Sequence, residues 1–250
     1  MLTDETNEQD EMGFEQPAEE PTPTPTAPQG HPELRRLAHA VDQVRQELGK
    51  VVIGQHEFIE LLIASLFAGG HVLVEGVPGI AKTLTAKLLA RTLKVDFNRI
   101  QFTPDLMPSD VIGTTVFNMN SSAFSFNAGP IFSNVVLIDE INRSPAKTQA
   151  ALFEVMEENQ VTVDGTTHKM GFPFFVIATQ NPIEQEGTYK LPEAQLDRFL
   201  VKINIDYPSL EEEQQILRRF RSDFRMKKQD TVSPVMDSQA IKECQIIVEK

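Results

Sequence analysis

Residues 71–93 read HVLVEGVPGIAKTLTAKLLARTL, and this stretch determines the fold that the rest of the 250-residue chain has to fit. Its apolar run Val72–Glu75 predicts a short buried β-strand. The strand is followed by Gly76-Val77-Pro78-Gly79-Ile80-Ala81-Lys82-Thr83 and then by a run of good helix formers. A strand, a glycine-containing turn and a helix N-terminus in this order are typical of a phosphate-binding loop.

The residue types of this loop fit phosphate chemistry. Lys82 is expected on the β and γ phosphates and the Thr83 hydroxyl on Mg²⁺, while Gly76 and Gly79 allow close backbone approach. Ala81 stands where the pattern GxxxxGK[ST] has its last glycine, and its methyl is tolerated if the residue adopts helical dihedrals. Taken alone, the segment could also be an ordinary strand-to-helix turn that ends in Lys-Thr.

The rest of the sequence predicts an α/β fold. Two helical patterns come first, at Pro32–Leu48 and Gln55–Ala68. Four further short apolar runs predict strands at Arg99–Phe102, Val135–Ile138, Phe174–Ala178 and Val201–Ile205. Strands of this kind, separated by helices or loops, are typical of a parallel sheet that is covered by helices on both faces.

Polar residues follow two of these strands. Asp139 and Glu140 come directly after the third strand, and Asn181 follows the fourth. Ligands of open α/β sheets bind beyond the carboxyl ends of the strands, so we expect Asp139 to hold Mg²⁺, Glu140 to act as general base and Asn181 to contact the γ phosphate. Alone, the carboxylate pair would indicate a solvated helix start, and Asn181 before Pro182 would indicate a turn.

Composition excludes several classes of protein. The net charge is −13, but the first thirty residues hold eight acidic and no basic side chains, which leaves 28 acidic and 23 basic, or −5, for the remainder. This balance does not favour nucleic-acid binding. A single cysteine, Cys244, excludes an internal disulfide and a cysteine-built zinc site. No apolar run suits a transmembrane segment and the N-terminus does not resemble a secretory signal, so we expect the protein in the cytoplasm.

Local patterns divide the chain into three regions. Residues 1–31, acidic and then rich in Pro and Thr, predict a disordered tail, with a docking peptide as the alternative. Residues 32–207 form the α/β core, and a serine cap at SLEEEQQILRRF begins a helical segment over 208–250. Two β-hairpins are predicted inside the core, at Phe117–Phe126 and at Val161–Lys169, the second turning at Asp-Gly. His71 and His168 are not expected to bind metal.

Over about residues 32–250 the chain resembles the MoxR family of AAA+ ATPases. The resemblance lies in VVIGQ (51–55), LVEGVPGIAKT (73–83), IQFTPDLMPSD (100–110), LIDEINRSPAKTQAALFEVMEENQVTVDG (137–165) and ATQNPIEQEGTYKLPEAQLDRF (178–199). It implies a P-loop NTPase core followed by the start of an all-α lid, with ATP and Mg²⁺ as cofactors. MoxR-like loops commonly read GxPGxAKT, which fits Ala81.

The resemblance also implies roles for individual residues. It assigns to nucleotide binding Val52, Ile53, Gly54, Gly76, Val77, Pro78, Gly79, Ile80, Ala81, Lys82, Thr83 and Leu84, the first three next to the adenine base. It assigns Thr83 and Asp139 to the metal. It assigns catalysis to Lys82, Glu140, Asn181 and Arg198. Arg198 would be the arginine finger that reaches the γ phosphate of the neighbouring subunit, with Arg143 a weaker candidate. From the residues alone, Arg198 would be a helix-end cation in an ordinary salt bridge.

The implied function is hydrolysis of Mg-ATP at the subunit interfaces of a homo-oligomer, a hexameric ring, which drives chaperone-like remodelling or maturation of client proteins. Partners would include a client or co-chaperone, among them proteins with a von Willebrand factor A domain. The alternatives are the ATPase subunit of a metal chelatase and a nucleotide-binding scaffold with little turnover. The lid of the family carries a further arginine in a GASPRA-like string that does not occur before Lys250, so we expect a fragment of a longer chain, with an abbreviated lid as the alternative.

Overall fold

The computed structural model describes residues 31–76, 81–120, 122–180, 191–222 and 231–250, with side chains in the helix 210–222 described as far as Arg218. The helices are α1 (Pro32–Gly49), α2 (His56–Phe67), α3 (Lys82–Thr92), α4 (Pro108–Ile112), α5 (Ala146–Glu158), α6 (Glu193–Leu196), α7 (Leu210–Ser222) and α8 (Ser238–Val248). The strands are β1 (His71–Gly76), β2 (Phe97–Gln101), β3 (Gly113–Asn118), β4 (Ala123–Ala128), β5 (Val135–Asp139), β6 (Gln160–Val163), β7 (Thr166–Lys169), β8 (Phe175–Gln180) and β9 (Phe199–Ile205). Apart from His31, the predicted tail lies outside the described residues.

Five strands form a parallel sheet in the order β2-β5-β8-β1-β9. Successive side chains of a strand point to opposite faces, and both faces of this sheet are covered. Val72 and Val74 of β1 pack in a hydrophobic cluster with α1, α2 and α3. Leu73, between them, belongs to a second cluster that includes Val136 of β5 and Leu152 of α5. The α/β fold with a parallel sheet flanked by helices is therefore confirmed.

The boundaries of the predicted helices and strands differ from the observed ones by one or two residues. Gln55, predicted as the first residue of the second helix, precedes α2 in a left-handed conformation with φ of 53°. The last predicted strand begins two residues earlier, at Phe199, because it pairs with the start of β1. Apolar runs locate the buried part of a strand, whereas backbone pairing extends its ends.

Both predicted hairpins are present. In β6–β7 the turn residues Asp164 and Gly165 have φ of 49° and 78°, as a type I′ turn requires. The other hairpin is longer than predicted, since β3 and β4 pair from Gly113 to Ala128. It follows the short helix α4 and precedes β5.

The C-terminal segment begins with the predicted serine cap. The Ser209 backbone N–H donates to Glu212 Oε2 (2.8 Å), and the Glu212 N–H donates to Ser209 Oγ (3.3 Å). Ile241 and Cys244 of α8 are buried in the cluster that α1 and α2 also form. The boundary at residue 207 remains a prediction. None of the helices in the described ranges is long and apolar enough to cross a membrane.

His71 connects the start of the sheet to α5. Its Nδ1 accepts the Val176 backbone N–H (3.2 Å), and Nε2 lies 3.2 Å from Met156 O, so the neutral tautomer with the proton on Nε2 satisfies both contacts. Burial lowers the pKa of His71, and the bond to Met156 opposes this only in part. His71 therefore has a structural role in the fold.

We expect acid to destabilise the fold through His71. Because the folded pKa lies below the unfolded value of about 6.5, the unfolded state binds a proton that the folded state excludes, and stability falls as the pH falls below about 6.5. His71→Gln keeps one donor and one acceptor without titrating, so its urea-unfolding free energy should depend less on pH between about pH 5 and pH 8. The exposed His39, changed to Gln, is the control. An unchanged pH dependence in His71→Gln would contradict this role.

Candidate functional site

A cavity of about 400 Å³ lies at the carboxyl edge of the sheet. It is lined by Gly76, Ala81, Lys82, Thr83, Leu84, Arg99, Gln101, Asp139, Glu140, Thr179 and Gln180. The ends of β1, β2, β5 and β8 contribute to it because parallel strands end at the same edge. The structure thus brings together those predicted site residues of the loop, of α3 and of β5 that it describes.

The beginning of α3 gives one wall of this cavity a positive character. The first turn of a helix leaves backbone N–H groups without intrahelical acceptors, and here that turn contains no acidic residue. Lys82 Nζ donates to the backbone oxygen of Gly76, the last residue of β1 (2.9 Å). Burial lowers the pKa of Lys82, and the charges of Asp139 and Glu140 oppose that shift. The wall suits an anion such as a phosphate.

Gly76 is required by the packing of two strands. A Cβ at this position would lie 2.5 Å from the backbone oxygen of Ile205 in β9. The sequence predicted a glycine at this position for another reason, the close approach of the backbone to phosphate. The structure adds the contact between β1 and β9 as an independent reason.

Asp139 is 8% exposed, and both of its carboxylate oxygens have hydrogen-bond donors. Arg99 Nε lies 2.5 Å from Oδ2, and Thr179 Oγ1 donates to Oδ1 (3.1 Å). Mg²⁺ prefers oxygen ligands, and in P-loop enzymes a loop Ser or Thr and a strand-end Asp hold it. The Thr83 hydroxyl and the Asp139 carboxylate, which line the same cavity, therefore fit such an ion.

Glu140 takes a left-handed backbone conformation (φ 57°, ψ 50°) directly after β5. Residues held in this region are uncommon and cluster at functional sites. Its Oε2 accepts Gln101 Nε2 (2.8 Å) and Arg143 Nη1 (2.9 Å), and its backbone N–H donates to Thr179 Oγ1 (3.1 Å). The half-buried carboxylate is thus oriented from two sides. Arg143 contacts the Glu140 of its own chain.

The sequence pattern of the ATPase family associated with various cellular activities (AAA) matches residues 71–201, slightly more than half of the chain. The chain belongs to this family. It is 49% identical over 199 residues to Chaperone MoxR1 of Mycobacterium tuberculosis, which covers 79% of this chain and 53% of that protein. It is 54% identical over 172 residues to the uncharacterized protein YeaC of Bacillus subtilis, with 69% and 54% covered. The chain therefore spans about half the length of these relatives.

A solved crystal structure supports the same assignment. A candidate ATPase from Cytophaga hutchinsonii superposes with a TM-score of 0.77 at 47% identity, covering 86% of this chain and 66% of that one. With the matches to MoxR1 and YeaC, this confirms the resemblance to MoxR-type AAA+ ATPases and the P-loop fold.

Several predicted site residues of this AAA chain are not among the described residues that line the cavity. Val77, Pro78, Gly79, Ile80 and Asn181 fall outside the described residues. In the described part of the chain, the segment predicted to border the adenine base, Val52–Gly54, does not line the cavity. Of that segment, Val52 is buried in the cluster of α1 and α2, Ile53 is half-buried, and Gly54 lies against Glu212 of α7.

Arg198 lies at the opposite edge of the sheet. It directly precedes β9, whose first residue, Phe199, pairs with His71 at the start of β1. The cavity lies at the other end of β1, six residues or about 20 Å away. Arg198 Nη1 pairs with Glu157 Oε2 (2.5 Å) of α5. The arginine therefore does not belong to the cavity of its own chain.

Four cavity residues of the AAA chain were not predicted: Arg99, Gln101, Thr179 and Gln180. Arg99 and Gln101 are alternate residues of β2 and therefore share a face of the strand. Thr179 and Gln180 end β8 just before the predicted Asn181. Polar residues at the carboxyl end of a predicted parallel strand were the signal that could have found them.

Ala81 does not meet the condition under which its methyl group would be tolerated, because it does not adopt right-handed helical dihedrals. It has φ of 60° and ψ of 17°, in the left-handed region. An L-residue there carries a cost of about 1–2 kcal/mol that glycine avoids. Helical dihedrals therefore do not account for the methyl group at this position, and the chain carries the strain directly before α3.

Ala81→Gly should accordingly raise the free energy of unfolding by about 0.5–1 kcal/mol, since relief of the left-handed strain exceeds the extra entropy of an unfolded glycine. Urea unfolding without nucleotide measures this. Ala90→Gly is the control, because Ala90 lies in the interior of α3, where glycine destabilises. A loss of stability in Ala81→Gly comparable to that of Ala90→Gly would contradict the strain.

Proposed function

We propose that this chain binds ATP with Mg²⁺ in the cavity at the carboxyl edge and hydrolyses the γ phosphate. The observation that carries the proposal is the convergence of a helix N-terminus with Lys82, a buried Asp139 and an oriented Glu140 in one cavity. Membership of the AAA family supports the nucleotide as the ligand.

The groups that hold the phosphates are the α3 N–H groups and Lys82, whose ammonium exchanges Gly76 O for phosphate oxygens. The Thr83 hydroxyl and the Asp139 carboxylate would hold the metal. When bound, Mg²⁺ neutralises charge on the β and γ phosphates. In the AAA chain the segment Val52–Gly54 would border the adenine base.

The general base in this proposal is Glu140, which takes the proton of the attacking water while Asn181 orients that water and the γ phosphate. Gln101 and Arg143 hold the Glu140 carboxylate by hydrogen bonds of 2.8 and 2.9 Å. These two residues act on the reaction through the position of the base.

Arg198 would complete the site of a neighbouring subunit. Its position at the edge opposite its own cavity suits a head-to-tail contact, and repetition of such a contact closes a ring, which we propose to be hexameric. The ion pair with Glu157 would then be exchanged for a phosphate contact. Hydrolysis would depend on assembly.

The motion that follows hydrolysis would remodel a client protein, in line with the chaperone name of the MoxR1 relative. The β3–β4 hairpin, with Met119 85% and Phe124 75% exposed, offers an apolar contact surface for a client or for a co-chaperone with a von Willebrand factor A domain. Residues 32–207 would be the nucleotide-binding core, and 208–250 the beginning of the lid. We place this activity in the cytoplasm and expect no nucleic-acid partner.

The rate of ATP hydrolysis tests the role of Glu140 as general base. In the full-length protein, Glu140→Gln should lower the ATP hydrolysis rate by about 10²–10⁴-fold while ATP affinity stays close to that of the wild type, because only proton transfer is lost. Glu154→Gln, an exposed glutamate on α5, is the matched control. A wild-type rate no greater than that of Glu140→Gln would contradict the proposed hydrolysis.

Assemblies that mix two kinds of variant subunit test whether Arg198 acts in a neighbouring site. Subunits with Arg198→Ala keep an intact base, and subunits with Glu140→Gln keep an intact arginine, so mixtures of the two inactive variants should regain ATPase activity at their shared interfaces. Native mass spectrometry verifies that mixed rings form. Mixed rings that hydrolyse no ATP would contradict the action of Arg198 in a neighbouring site.

A further inference from the structure

Arg99 is a charged residue of the cavity to which the proposed chemistry gives no role. It lies on β2, the edge strand of the sheet, where it pairs with Leu137 of β5, two positions before the pair Gln101–Asp139. Its Nε contacts Asp139 Oδ2 at 2.5 Å. The Asp139 side chain is 11% exposed and that of Arg99 is 50% exposed, so the pair joins a buried carboxylate to a cation on the rim.

This ion pair conflicts with a divalent cation at the same carboxylate. Thr179 donates to Asp139 Oδ1 and Arg99 to Oδ2, so each oxygen already has a donor. A cation that coordinates Asp139 needs one of these oxygens and repels the guanidinium beside it. Lys82 adds a further positive charge on the same cavity, which strengthens the repulsion.

We propose that Arg99 is a counter-ion that competes with the divalent cation for Asp139. In the metal-free protein it neutralises the buried carboxylate, and it leaves when the metal binds. The claim that a metal competes for Asp139 rests on the proposed function. The ion pair between Arg99 and Asp139 is observed in the structure.

The location of Arg99 suits a reversible partner. An arginine on an edge strand can turn its head group into solvent while its stem stays on the protein surface. Its Nη2 also donates to Gln101 Oε1 (3.2 Å), a contact between exposed side chains. A half-exposed pair of this kind contributes about 1 kcal/mol, which a coordinated divalent cation can exceed. Arg99 would therefore lower the apparent metal affinity without abolishing binding.

Removal of the competitor should raise the metal affinity. In Arg99→Met, the Mn²⁺ concentration for half-saturation, followed by electron paramagnetic resonance with and without ADP, should fall about fivefold, the factor that corresponds to about 1 kcal/mol. Arg99→Lys keeps the charge and should stay closer to the wild type. Arg36→Met removes an exposed arginine that pairs with Glu243 of α8, and it should leave Mn²⁺ binding unchanged. Equal or weaker Mn²⁺ binding in Arg99→Met would overturn the proposal.

A double-mutant cycle in EDTA tests the ion pair without metal or turnover. Arg99→Met, Asp139→Asn and the double variant are unfolded with urea, and the two changes should be non-additive, with a smaller loss in the double variant than the sum of the single losses. Additive losses would overturn the proposal. A wild type that binds no ADP would instead contradict the proposed function, while Mn²⁺ alone and the cycle still report on Arg99.

Discussion

The parallel alignment of β1, β5 and β8 is the constraint on which the rest of this structure depends. Parallel pairing places the carboxyl ends of these strands at one edge, and burial on both faces fixes which residues reach it. Asp139 is consequently delivered beside α3, although the two are separated by more than forty residues of sequence. If β5 ran antiparallel to β1 and β8, Asp139 would lie at the opposite edge of the sheet from α3.

Charge balance is the second requirement at the carboxyl edge of the sheet. Two carboxylates, Asp139 and Glu140, lie close to the cations of Lys82, Arg99 and Arg143, and each carboxylate is held by at least one arginine. Buried charges need partners, and these partners are drawn from β2, α3 and the turn after β5. If a metal binds Asp139 as proposed, its binding would be an exchange of partners at that carboxylate.

Most of the fold followed from the sequence because its signals are local. Apolar runs located the five strands of the sheet, and Asp164-Gly165 located a hairpin turn. Loop residues and the Asp139–Glu140 pair identified the wall of the cavity. Contacts that depend on register were not predictable: Arg99 and Thr179 reach Asp139 only because β2 and β8 flank β5. The clash that requires Gly76 to be a glycine likewise involves β9, which is distant in sequence.

The proposed metal site can be tested by locating the ion itself. The full-length protein would be crystallised with Mn²⁺ and a non-hydrolysable ATP analogue. An anomalous difference map, from data collected at a wavelength where manganese scatters anomalously, would locate the ion. The proposed site predicts an anomalous peak from an ion that the Thr83 hydroxyl coordinates and that binds Asp139 directly or through water, with the triphosphate along the N-terminus of α3. An ion or a triphosphate bound away from this edge of the sheet would contradict it.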